Sequence, residues 1–389
     1  MLSKRIQVLS PSLTMAITSL ARDLKAQGRD VLSFSAGEPD FDTPQIVKDA
    51  AIAAINDGFS KYTAVGGTPE VLKAIAGKLK RENNLDYKPS DIVVNVGAKH
   101  SLFNIFQAII DEGDEVIIPA PYWVTYPEIV KYSDGTPVFI DTDETSGFKI
   151  TPAQLKAAIT PKTKALLLNT PSNPTGSVYS KEELTALADV LKGTNVLVVS
   201  DEMYEKILFD GHLFTSVASI SEDMYKRTIT VNGLSKSVSM TGWRFGYFAC
   251  PIKEITDAIV DFQGQSTSNI NSITQKAAVP ALNGLADADI EIMRSAFERR
   301  RNLAHELLNQ IEGLSVLKPE GAFYLFVNTK AVENDSMKFC QKLLEEKGVA
   351  VVPGIGFGTE GYFRLSFATD DATIIDGIER IASFVKNYK

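Results

Sequence analysis

A lysine stands alone just past an apolar run: RTITVNG is followed by Leu234-Ser235-Lys236 and then by SVSMTGWRFGYFA. Nothing around it resembles a solvated charge run. A lysine desolvated in such surroundings has its pKa lowered and becomes an amine nucleophile. Eight residues on, Arg244 lies between Trp243 and Phe245. An always-charged guanidinium there invites an anion such as a phosphate. For either residue taken singly, a structural salt bridge is the competing explanation.

Other apolar runs end in the same suggestive way. DIVVNV leads into Gly97-Ala98-Lys99-His100-Ser101, a small-residue turn whose free amides at the head of a helix suit phosphate; an ordinary strand-to-helix turn explains it equally well. After DEVIIPA comes Pro121-Tyr122-Trp123, whose indole can stack on a planar ligand or simply fill the core. After KALLLN, the turn Thr170-Pro171-Ser172-Asn173-Pro174-Thr175-Gly176 either aims the Asn173 amide at a ligand or is a plain surface loop. After NVLVVS comes Asp201-Glu202-Met203-Tyr204. A carboxylate at the inner end of an apolar strand calls for a positively charged partner, unless it caps a helix. A nucleophilic lysine, an anion-binding arginine, a phosphate-like turn, an acid, an amide and an aromatic together fit a planar, phosphorylated aldehyde. Pyridoxal phosphate needs a Schiff-base lysine and an acidic partner for its ring nitrogen.

The elements that carry these residues follow from the same runs. DIVVNVG, DEVIIPA, TPVFIDT, TKALLLNTP, NVLVVSDE and RTITVNG are short, rich in Val and Ile, and bounded by Gly, Pro, Asn or Asp, as strands buried on both faces are. Amphipathic segments such as Lys181 to Leu191 lie between several of them. The alternation predicts an α/β fold, a mostly parallel central sheet with helices on both faces. Ligands of such sheets bind beyond the carboxyl ends of the strands, where the residues above fall. Upstream, helices are expected from Thr14 to Gln27, stopped by Gly28, and from Pro44 to about Asp57. Beyond residue 285 a long charged helix, then FYLFVNT, VAVVPG and YFRLSFAT, predict a smaller α+β domain. The expected division is a large domain, 45–285, and a small one formed by 1–44 with 286–389.

Composition removes several classes of function. The 389 residues carry 40 basic and 48 acidic side chains, a net charge of −8, which argues against a nucleic-acid surface. No apolar stretch is long enough for a membrane span, and the basic N-terminus MLSKRIQVLSPSLT lacks the apolar segment of a secretory signal. Two cysteines make no disulfide framework, and three histidines at no ligand spacing predict no metal site. A soluble, cytoplasmic protein is expected.

AGEPDFDTP, PSNPTG, SDEMYEKILF and NGLSKSVSMTGWRFGY together make the chain resemble, over essentially its whole length, the class I aminotransferases of pyridoxal-phosphate fold type I. Within them it is most similar to the smaller, prokaryotic-type subgroup of bacterial aspartate aminotransferases. The resemblance implies that Lys236 is the catalytic residue and holds pyridoxal 5'-phosphate as a Schiff base. It implies that Asp201 keeps the ring nitrogen protonated, that Asn173 and Tyr204 bond the phenolic oxygen, and that Trp123 stacks on the ring. Arg244 and the amides of Ala98 and Lys99 take the phosphate. Arg364, in YFRLSF, clamps the substrate α-carboxylate, with Gly37 contributing from its strand end. Tyr62, in KYTAVGG, reaches the phosphate of a neighbouring subunit, so that a homodimer with active sites at its interface is the functional unit.

In this subgroup the side-chain carboxylate of aspartate is read by the glycine-turn lysine and by hydroxyls of the N-terminal segment, places held here by Lys99, Ser12 and Thr14. The expected reaction in amino-acid metabolism is therefore amino transfer from L-aspartate to 2-oxoglutarate, with ping-pong kinetics. Aromatic amino acids, alanine or prephenate as substrates, and a β-lyase of the same fold, are the alternatives. Two departures stand out. Gly233 replaces a phosphate-binding hydroxyl that many relatives have three residues before the lysine. Ser10 stands where relatives that also act on prephenate carry a basic residue, which argues against that activity. Regulators that fuse this fold to a DNA-binding module need a further N-terminal domain, for which about thirty residues before VLSFSAGEPD leave no room.

Overall fold

The computed structural model describes residues 2–11 and 13–388. Its strands are β1 (Leu32–Ser33), β2 (Ile92–Val96), β3 (Glu115–Ala120), β4 (Thr136–Asp141), β5 (Thr163–Asn169) and β6 (Leu197–Asp201), then β7 (Thr228–Gly233), β8 (Phe245–Ala249), β9 (Tyr324–Asn328), β10 (Val349–Ala350), β11 (Val352–Pro353) and β12 (Tyr362–Ser366). Seven of them form the central sheet in the order β2-β8-β7-β6-β5-β3-β4. Every pairing is parallel except those of β8, which runs against both β2 and β7. The six Val- and Ile-rich runs are β2 to β7. The seventh strand, FGYFA, was not foreseen, because aromatic and small residues replace the aliphatic signature.

Burial explains the parallel strands. Val116, Ile117, Ile118, Leu166, Val198, Val199, Ile229 and Val231 are each fully enclosed, on alternating sides of the sheet, so both faces must be covered by helices. The two upstream helices run from Leu13 to Ala26 and from Gln45 to Asn56. Pro44 sits at the N-cap of the second rather than inside its first turn; its fixed φ of −52° still aims the chain into the helix.

A second, antiparallel sheet has the order β11-β12-β9, and β1 pairs in parallel with β10. Residues from before the large sheet thus join residues near the C-terminus. Ile17 and Ala21 of the first long helix pack with Val31, Leu344 and Ala350 in the same cluster. Among the described residues, no helix is long and apolar enough to cross a membrane, and no cluster of ligating side chains could hold a metal.

Candidate active site

The carboxyl ends of β2, β3, β5, β6 and β7 lie along one edge of the large sheet. Because β8 runs backwards, its amino end lies on that edge too: Phe245 is in register with Val96 and Gly246 with Gly233. One antiparallel strand therefore brings Arg244, just before it, beside Lys236, just after β7. A cavity of about 270 Å3 opens at this edge, and Lys236, Asp201, Arg244, Arg364, Lys99 and Trp123 all line it. Asn173, Tyr204, Ala98 and Gly37 line it as well.

The lysine amine donates to the carbonyl oxygen of Gly37. Burial, reinforced by the positive charges of Arg364 and Arg244, lowers it to about 8. That places the neutral amine within reach of ordinary pH, as a nucleophile requires.

Asp201 ends β6 and is buried. Its Oδ2 accepts the Tyr126 phenol at 2.8 Å, and its Oδ1 accepts the Met203 amide at 3.3 Å. The expected positive partner is not in contact: among the described residues Asp201 makes no ion pair, and the phenol takes its place. Burial consequently raises the carboxyl to about 6, against the opposing pull of the two hydrogen bonds and of Lys236. The neighbouring Asn169 Nδ2 ties down the Asp201 backbone carbonyl at 3.0 Å, so the acid is fixed at both ends.

At the other end of the cavity, Gly97 turns with φ of 83° into the helix Ala98–Ile109. The amides of Ala98 and Lys99 open that helix and have no intrahelical acceptor. Backbones approach closely here: a Cβ on Gly246 would lie 2.2 Å from the Ala98 nitrogen, and one on Gly97 would lie 2.5 Å from Arg244 Nη2. Arg244 itself adopts φ of 57°, a conformation costly for a side chain of its size. Its Nη1 donates to the Thr241 carbonyl at 2.8 Å, and no carboxylate pairs with it among the described residues.

Arg364, on β12, closes the cavity from the small sheet. It is buried, with Nη1 donating to Asn173 Oδ1 at 2.9 Å and Nη2 to the Ser35 carbonyl at 2.8 Å. Its guanidinium lies 4.3 Å from the Tyr324 ring centre, Nε has no partner, and no acid neutralises it among the described residues. Tyr204 shares a 2.8 Å hydrogen bond with the Tyr324 hydroxyl. Lys99 sits with Nζ 4.8 Å from the Trp123 ring centre, and desolvation together with Arg244 lowers its pKa.

One expected site residue, Tyr62, is not brought into this cavity. Tyr62 is 90% exposed at the surface. Ser12 lies outside the described residues, and of Thr14 only the backbone, in the helix Leu13–Ala26, is described. Tyr126 and Tyr324, with Asn169 and Thr241, line the cavity and escaped the sequence reading. Tyr126 belongs to the segment PYWVTY that drew attention to Trp123, three residues earlier. Tyr324 is the second residue of FYLFVNT, which reads only as a strand.

The cavity fits pyridoxal phosphate on its own geometry. A buried carboxyl with a raised pKa gains from a protonated ring nitrogen, which restores its ionised form. A buried amine close to neutrality can condense with an aldehyde. The amides of Ala98 and Lys99, the adjacent unpaired Arg244 and two glycines that admit no Cβ form a cradle for a phosphate.

Comparison with known proteins agrees. A model of the family described as aminotransferase class I and II matches residues 29–381. An aspartate aminotransferase of Bacillus subtilis (strain 168) is 50% identical over 392 residues, spanning 100% of this chain and 99% of that protein. An aspartate/prephenate aminotransferase of Nitrosomonas europaea is 50% identical over 99% of each chain. Among solved structures, the aspartate aminotransferase from Thermus thermophilus with maleate superposes with a TM-score of 0.95 at 43% identity, covering 98% of this chain and 99% of that one.

Proposed function

The chain belongs to the class I and II aminotransferases, which are pyridoxal phosphate enzymes, and from that premise we propose that it moves the amino group of L-aspartate to 2-oxoglutarate. The observation that carries the substrate is a pair of cations lining one cavity, Arg364 and Lys99, neither with an acid partner among the described residues. A buried cation without a counter-ion, as Arg364 is, favours an anionic ligand, and a second cation lining the same cavity favours a dicarboxylate. The maleate named with the Thermus thermophilus relative is also a dicarboxylate.

Each residue then has a task. Arg364 binds the α-carboxylate through its two terminal nitrogens, with Gly37 shaping that side of the cavity. Lys99, with Ser12 and Thr14, receives the second carboxylate. Arg244 and the amides of Ala98 and Lys99 hold the cofactor phosphate, Trp123 covers the ring, and Asn173 and Tyr204 bind its phenolic oxygen. Asp201 holds the proton on the ring nitrogen. Pyridoxal phosphate supplies an electron sink that renders the substrate Cα–H acidic. Freed by the substrate amine, Lys236 Nζ would take up the Cα proton and release it on the cofactor side rather than back to Cα, which leaves Cα at the level of the oxo acid. Because one oxo acid leaves before the other binds, the kinetics are ping-pong.

Tyr62 serves the cofactor phosphate of a second copy, so the working unit is a homodimer; its exposure on the single chain supports this. Residues 45–285 form the large domain and 1–44 with 286–389 the small one, a division supported by the pairing of β1 with β10. The enzyme works in the cytoplasm, a reading in keeping with two buried free thiols. The test is to follow oxaloacetate and glutamate formation from L-aspartate and 2-oxoglutarate. A larger kcat/KM for alanine or an aromatic donor than for aspartate overturns the substrate while leaving the family intact.

A further inference from the structure

Tyr62 is 90% exposed, yet the loop that carries it is tied down by two glutamines, Gln263 and Gln275, that have no exposure at all. Gln275, on the helix Ser272–Leu282, donates from Nε2 to Thr63 Oγ1 at 3.0 Å and accepts the Thr68 amide on Oε1 at 2.8 Å. It grips the loop at both ends. Gln263, on the helix Lys253–Ser266, donates to the Val65 carbonyl at 2.8 Å, in the loop's middle, and to the Val94 carbonyl of β2 at 3.0 Å. The Gly66 carbonyl completes the anchorage by accepting the Val94 amide at 2.8 Å.

Gln263 also reaches the phosphate cradle of its own chain. Its Oε1 accepts Asn95 Nδ2 at 2.7 Å, and Asn95 Oδ1 accepts the hydroxyl of Ser101 at 2.7 Å, on the helix whose first amides form that cradle. One buried polar network thus frames both the cradle and the loop. Burying two primary amides is unfavourable unless each is satisfied, as these are. A solvent-exposed side chain gains nothing from so rigid a support; a side chain that must meet a second body in one geometry gains affinity from it.

We propose that Gln275 and Gln263 are positioning residues that hold residues 61–68 in the shape which delivers Tyr62 to the active site of a second copy. The inference rests on the dimeric reading above. It requires that damage to either glutamine appear in the partner's site; for Gln275 the site of the chain that carries it must be spared, whereas Gln263, which also frames its own cradle, affects both.

Hybrid dimers separate the two. One chain keeps Lys236 and the other carries Lys236→Ala, so that only one site captures pyridoxal phosphate covalently. Gln275→Met, close in length and without hydrogen-bonding groups, is placed on either chain, and the cofactor-free hybrids are titrated with pyridoxal phosphate by absorbance. On the Lys236→Ala chain, it raises the cofactor concentration for half-saturation about tenfold; on the intact chain, it changes that concentration by less than about twofold. Gln263→Met raises it from either chain, because it also loosens its own cradle, and its effect across the interface stands in should Gln275→Met not fold. A defect that stays with the substituted chain, or no defect on either, overturns the inference. Tyr62→Phe is the control: if it too has no effect across the interface, or if the protein sediments as a monomer, the dimeric reading falls and the inference with it. If Tyr62→Phe acts across the interface and neither glutamine variant does, the inference falls alone.

Discussion

The Tyr126 phenol donates to Oδ2 of Asp201 at 2.8 Å with both side chains buried, so a neutral hydrogen bond stands where a salt bridge was expected. Even with that bond, burial raises the carboxyl from 3.8 to about 6. An acid whose folded pKa lies above its unfolded value makes the fold bind an extra proton between the two. The cofactor-free protein should therefore lose stability as pH rises from about 4 through about 6, and keep that deficit above it. Tyr126→Phe removes a donor that favours the charged form. It should deepen the loss by about 1–3 kcal/mol and carry it to higher pH, whereas Asp201→Asn should abolish it. Urea unfolding of the cofactor-free variants between pH 4 and 8 measures this; identical slopes in wild type and Tyr126→Phe would remove the phenol from the account.

Lys236 shows the opposite sign. Its amine is lowered from 10.5 to about 8, chiefly by burial, so the fold binds fewer protons than the unfolded chain across that window. The penalty for the buried cation is fully present below about 8 and is relieved as pH rises toward 10.5. Lys236→Met should abolish turnover yet stabilise the cofactor-free protein at pH 7, with the gain shrinking above pH 8. The rate at which the cofactor-free wild type captures pyridoxal phosphate should rise with pH through about 8. A rate that climbs only near 10.5 would mean that the cavity does not desolvate the amine.

What the sequence disclosed depends on what each residue has to do locally. Lys236, Asp201 and Asn173 each end or follow an apolar run, and strand ends in a parallel sheet are where ligands bind, so composition and position pointed the same way; Arg244, just before the antiparallel β8, showed only by its aromatic neighbours. The six aliphatic strands were legible for a similar reason: burial on both faces leaves few other residue types. FGYFA was not, because Gly246 is there to let Ala98 approach and the aromatics fill space beside it. Tyr126 and Tyr324 were missed because their role is a hydrogen bond to a residue far along the chain, Asp201 and Tyr204 respectively, and no local pattern encodes that. The glutamines that hold the Tyr62 loop were invisible for the same reason.

Gly246 gives a steric prediction. A methyl group there would stand 2.2 Å from the Ala98 nitrogen and 2.3 Å from the Gly97 carbonyl carbon, and both are backbone atoms that cannot swing aside. Gly246→Ala should push the cradle turn away from β8, at a cost of about 1–3 kcal/mol in stability, and weaken cofactor retention more than turnover of the loaded enzyme. Thermal unfolding together with dialysis against cofactor-free buffer reads both. Unchanged retention in a destabilised variant would show that the cradle does not depend on this close approach.

Lys99 and Arg364 should divide the two carboxylates of the substrate between them. Arg364→Lys keeps the charge but loses the planar fork whose nitrogens already reach Asn173 and Ser35, so kcat/KM should fall by about 100-fold for every amino acid donor alike. Lys99→Met removes only the cation beside Trp123. The loss should then be selective, about 10- to 100-fold in kcat/KM for aspartate and within about threefold for alanine, because a neutral side chain never used that charge. The amide of residue 99 remains in the methionine variant, so the phosphate cradle is preserved and cofactor affinity serves as the internal control. An equal loss for aspartate and alanine would assign Lys99 to the cofactor alone and return the choice of amino acid to other residues.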